Sequence, residues 1–136
     1  MAKPLLEIMM LAACVDNNPD RYEMQLISNY CQLCPSLENV SIEEIKKTMQ
    51  IVVQKKELGV KDAHIIEDIA DRLSKSERER AFALAAEVCA FNFEFDKAEA
   101  ELLNYLQDTW NISKSTSKSV FNSIRIRYNA TYAGLT

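Results

Sequence analysis

Apolar residues recur along most of the chain at intervals of three and four, the spacing that lines one face of an α-helix. Leu5, Ile8, Ala12 and Val15 make one stripe, and Tyr22, Leu26, Tyr30 and Leu33 a second. The second stops at Cys34-Pro35, because the residue before proline disfavours helix. Ile42, Ile45, Met49, Val52 and Val53 form a third, closed by Gly59 at a C-terminal cap. Ile65, Ile66, Ile69, Ala70 and Leu73 predict a short fourth helix. Leu84, Ala85, Val88 and Phe91 predict a fifth, Leu102, Leu103, Leu106 and Trp110 a sixth, and Val120, Phe121, Ile124 and Tyr128 a seventh. No segment reads as a strand: Ile51-Val52-Val53 lies inside a helical stripe and runs into Lys55-Lys56-Glu57. Ser41 with Glu44 and Ser76 with Glu79 have the Ser-x-x-Glu spacing of a capping box. Short connections predict antiparallel neighbours. Beyond Tyr128 the pattern fades, so fraying is expected over 129–136.

A shift of 76 residues superimposes the two halves. Ile8 meets Leu84, Ala12 meets Val88, Val15 meets Phe91 and Ile27 meets Leu103; Asp20 meets Asp96 and Glu23 meets Glu99. The third helix, from about Ser41, meets the seventh, from about Ser115. The expected architecture is a single all-α bundle of about seven helices. Two similar three-helix repeats, about 4–57 and 76–128, flank a connecting helix at about 61–74. A pseudo-two-fold arrangement of such repeats would bring equivalent corners together.

Composition supports one globular domain. The chain has 136 residues, 48% of them apolar, enough for a real core, and only two glycines and three prolines. The formal charge of −4 gives no general case for nucleic acid. It is unevenly spread: residues 113–136 hold Lys114, Lys118, Arg125 and Arg127 and no acid, leaving −8 for the first 112. A basic last helix on an acidic body is the plain reading, and a docking surface for an acidic partner the sharper one. No apolar run reaches the roughly 20 residues of a membrane span. No cleavage site follows Leu5–Val15, so a cytoplasmic protein is expected, with peripheral membrane association still open. Cys31 and Cys34 have Cys-x-x-Cys spacing, but with no second pair nearby the four cysteines read as reduced, buried filler.

The two acidic corners carry the candidate chemistry. Asp16–Glu23 and Asn92–Glu99 each open with a carboxylate or its amide and place Asp four and Glu seven residues later. Asp20 and Asp96 suit N-caps, with Glu23 and Glu99 at the third helical position. Neither corner is an EF-hand loop: its sixth position, a glycine there, is Arg21 or Lys97, and its twelfth, a glutamate, is Ile27 or Leu103. A shared site remains, with Asp16, Glu23, Asn92 and Glu99, joined by Glu94, offering hard oxygens to Ca²⁺ or Mg²⁺.

Ala12-Ala13-Cys14-Val15-Asp16 leading to Glu23, and Ala85 to Asn92 leading to Glu99-Ala100-Glu101-Leu102-Leu103, resemble the TerB-like (tellurite-resistance B) family. Its motif is an Ala-rich helix, then Asp-Gly, then Glu seven residues after that Asp. The resemblance implies a duplicated all-α domain, acidic metal ligands at Asp16, Glu23 and Glu99, and a part in tellurite and chemical-stress responses, often in membrane-associated complexes. This chain has Asp16-Asn17 and Asn92-Phe93 where the family has Asp-Gly, which removes an easy left-handed turn and one charge. An enzyme is not expected. His64 reads as a surface residue in a first helical turn, and there is no Gly-rich phosphate loop or Gly-x-Ser-x-Gly turn. The expected function is an interaction module with a protein partner; a metal-free scaffold or adaptor, its acids serving as caps, is the alternative.

Overall fold

The computed structural model describes residues 2–14, 21–37, 40–90 and 97–128, and leaves the side chains of residues 2, 21–23, 26, 33, 36 and 128 undescribed. Among these residues there are seven α-helices and no strand. They are α1 (Ala2–Ala13), α2 (Arg21–Leu33), α3 (Ile42–Glu57), α4 (Asp62–Asp71), α5 (Lys75–Ala90), α6 (Lys97–Thr109) and α7 (Lys114–Tyr128). The expected all-α bundle is observed, with one addition: a 3₁₀ turn at Pro35–Leu37 that buries Leu37 after α2.

α1 and α5 form the centre. α1 packs on α5, α3 and α4, and α5 packs on α1, α7, α6 and α2. The stripe expected of α1 is too narrow. Leu5, Leu6, Ile8, Met9, Met10 and Leu11 are all at most 2% exposed, so the helix is enclosed on every side. A helix apolar all round belongs in the interior. In α5 every residue from Ala81 to Ala90 except Ala83 is buried. Its alanines let neighbouring backbones approach, since interaxial distance follows the side chains at the crossing. Phe82 meets Phe121 of α7 edge to face, with ring centroids 5.9 Å apart at 78°, a favoured aromatic geometry. The core reaches Ile45 and Val52 of α3, Ile65, Ile66 and Ile69 of α4, and Trp110 after α6. Ile42, read as part of the third stripe, is 61% exposed.

Caps set the helix lengths. Ser41 Oγ accepts from the Glu44 N–H at 3.1 Å, as expected. Before α5 the box lies two residues earlier than the one read from sequence. Ser74 Oγ accepts from the Glu77 N–H, and Glu77 Oε1 accepts from the Ser74 N–H at 2.7 Å. Ser74-x-x-Glu77 and Ser76-x-x-Glu79 overlap, and only one can start the helix. Glu79 is left to accept from Thr116 Oγ1 at 3.0 Å, tying α5 to α7. α3 and α6 end alike. The Val60 N–H reaches the Lys55 carbonyl and the Gly59 N–H the Lys56 carbonyl; the Ile112 and Asn111 N–H groups repeat this on Gln107 and Asp108. Gly59 at φ 85° and Asn111 at φ 54° supply the left-handed residue this motif needs.

Ser74→Ala should cost about 1 kcal/mol of stability and Ser76→Ala a few tenths at most, measured by chemical unfolding. The reverse order would put the cap at Ser76. The Ser74 backbone N–H holds the Glu77 carboxyl below its usual range. A carboxylate lowered by folding stabilises above its unfolded pKa and stops doing so as pH falls through the folded one. The difference between wild type and Glu77→Gln should therefore be present at neutral pH and vanish in acid, checked by melting temperatures across that range.

Candidate functional site

The four corner residues fare differently. Asp16 and Asn92 lie outside the described residues, as do Asp20, Glu94, Asp96 and the tail at 129–136. Glu23 is the third residue of α2, but its side chain is not among those described. Glu99 is the third residue of α6 and is 4% exposed. Among the described residues, no three His, Cys, Asp or Glu side chains gather into a cation-holding group. α2 and α6 are both 13 residues long and begin and end 76 residues apart. α7 starts only 72 residues after α3, so it does not follow that offset.

The four cations of α7 do not form one surface. Lys114, Lys118 and Arg125 are exposed and fall on one flank by helical spacing. Arg127, nine residues after Lys118, falls half a turn away. Its Nη2 donates to both carboxylate oxygens of Glu87, at 2.8 Å to Oε2, while its Nη1 donates to Ser123 Oγ. The Tyr30 hydroxyl donates to Glu87 Oε1. Glu87 is 7% exposed, so these are the bonds that make its burial tolerable. The cluster joins α2, α5 and α7 beside a cavity of about 340 Å³ floored by Leu84, Val120 and Ile124. Sequence reading missed Glu87; the signal was one carboxylate inside the apolar run from Ala81 to Ala90.

A second buried acid pins α4. Glu7 of α1 is 5% exposed and accepts from Arg72 Nη2, which also donates to Asp68 Oδ2 at 3.0 Å. This holds α4 against α1 and leaves its far side facing α6. Between α4 and α6 lies an open cleft of about 350 Å³, lined by Asp62, Ala63, Ile66, Ala98, Leu102 and Tyr105, together with Glu101. Ile66 and Leu102 are buried and form its apolar floor, whereas Tyr105 is 37% exposed on its wall. Lys56 Nζ lies 3.8 Å from Asp62 and donates to the Cys14 carbonyl at 2.9 Å. The Glu101 side chain is exposed and makes no hydrogen bond or ion pair with the described residues.

Comparison with known proteins finds no matching family model, no matching curated protein and no matching solved structure. The chemistry must therefore be read from the chain itself.

No disulfide joins the four cysteines. Burial, and then Cys34, pushes the Cys31 thiol up to about 11. The thiolate is the nucleophile and metal ligand, so a raised pKa suits filler better than a reactive pair. His64 is exposed in the first turn of α4, as expected.

Arg127→Ala strands a buried carboxylate and should destabilise by about 1–3 kcal/mol, toward the lower figure because the guanidinium is half-exposed. Lys118→Ala should change stability by less than about 0.5 kcal/mol. Urea unfolding compares the two, and equal small effects would mean that Arg127 is not needed to satisfy Glu87.

Proposed function

We propose that the chain is a non-enzymatic helical interaction module whose working surface is the cleft between α4 and α6. One observation carries this reading: an open cleft lies between two helices whose Ile66 and Leu102 are packed into the core at its base, with the exposed ring of Tyr105 on its wall. Concave clefts of this size with a few polar groups at the edge are where ligands and partners dock. The TerB-like resemblance supports a cytoplasmic role in chemical-stress response, with the fold a duplicated three-helix unit. The equal lengths and 76-residue offset of α2 and α6 support that duplication; the link before α7 would then be four residues shorter than the one before α3.

The tagged protein, purified from cells that express it, should bring down a partner at stoichiometric yield. That partner should be lost when Ala98→Trp fills the cleft. The same proteins retained by both forms would contradict the reading.

A second reading, Ca²⁺ or Mg²⁺ held between the corners by Asp16, Glu23, Asn92 and Glu99, draws support from the burial of Glu99 at the start of α6. An ion that binds only the folded form stabilises it by about 2.7 kcal/mol at a hundred times its dissociation constant. Millimolar Ca²⁺ or Mg²⁺ should then raise the melting temperature of the wild type but not of Glu23→Gln/Glu99→Gln. An unchanged melting temperature would leave the acids as helix caps in a metal-free adaptor.

A further inference from the structure

We infer that the α4/α6 cleft takes a cationic amphipathic helix from a partner protein, with an apolar side chain on its floor and a Lys or Arg one turn away against Glu101. This rests on the docking reading above and names its occupant.

Among the described residues the lining holds two carboxylates, Asp62 and Glu101, and no cation. Asp62 has Lys56 nearby, so its charge is partly offset. Glu101 makes no ion pair with the described residues and stands exposed at the edge of the cleft. Lys97 lies one turn before Glu101 but outside the lining. A negative rim on an apolar floor selects the opposite charge beside an apolar group, and like charge there is penalised. The walls are two helices, and a third helix laid between them would fill the cleft as helices fill one another's grooves. The small residues Ala63 and Ala98 leave room for the incoming side chain.

α7 of a second copy fits less well, although it carries free cations. Among its described side chains the exposed surface presents Lys114, Lys118 and Arg125, but only Ile126 as a large apolar residue, amid Ser115, Ser119 and Asn122. It would bring charge without enough apolar surface to fill the cleft against Tyr105, Ala63 and Ala98.

The test uses a phage-displayed library of helical peptides, selected on the wild-type protein and counter-selected on Ala98→Trp. Thermal melting verifies that the variants fold. Enriched peptides should carry Lys or Arg one turn from a Leu, Ile, Met or Phe. Synthesised winners should bind about tenfold more weakly to Glu101→Lys, as like-charge juxtaposition demands, and lose affinity in added salt. Tyr105→Ala, at an exposed position, should weaken binding without a change in melting temperature. Acidic or uncharged winners that Ala98→Trp still rejects would overturn the cationic partner and leave the docking reading standing. Winners that bind Ala98→Trp equally, or no enrichment at all, would overturn both. Self-association abolished by Glu101→Lys would assign the cleft to a second copy and overturn the inference.

Discussion

The burial of α1 against α5 is the constraint from which the rest of the molecule follows. Removing a large aliphatic side chain from water contributes about 1.5–3 kcal/mol. α1 does this with six consecutive large positions broken only by Glu7. Such a helix cannot lie on a surface. It needs neighbours on every side, and α5, α3 and α4 provide them. α5 in turn is shared among α1, α2, α6 and α7, so the outer helices are arranged around two inner ones.

Burying helices so completely leaves little to decide which outer helix sits where, because apolar contact is not directional. Two of the three buried acids among the described residues, Glu7 and Glu87, supply direction. Glu7 fixes α4 through Arg72, and Glu87 fixes α7 and α2 through Arg127 and Tyr30. Buried ion pairs are poor sources of net stability, but breaking one is costly. Their effect here is on arrangement. With α4 held to α1 and α6 packed on α5, the two leave an open cleft between them, and the proposed docking surface is a consequence of how the core is assembled.

Much of the fold was legible in the sequence, because periodicity reports burial directly. The seven stripes correspond to seven helices; Pro35 marks the end of α2 and Gly59 the end of α3. Three features were less accessible. The turn after α6 uses Asn111 in the left-handed region, where sequence reading looks first for glycine. Two overlapping Ser-x-x-Glu boxes precede α5, and spacing alone does not rank them. Arg127 looked like one of four surface cations, because its partner is 40 residues away in sequence and only the packing of α7 on α5 joins them. The same holds for the cleft, which exists only once α4 and α6 lie side by side. Of the acidic corners, the structure describes one side chain, Glu99, and finds it buried.

Packed in this way, α1 and α5 should behave as one unit that opens only when the whole molecule unfolds. Native-state hydrogen exchange tests this residue by residue, because locally opening segments exchange faster than those that need global unfolding. The amides of Met9 to Ala13 and of Ala81 to Ala90 should be the slowest in the protein, with a shared free energy equal to that of global unfolding. Exchange of the α1 amides by local opening, faster than those of α4 or α6, would contradict the account at its base.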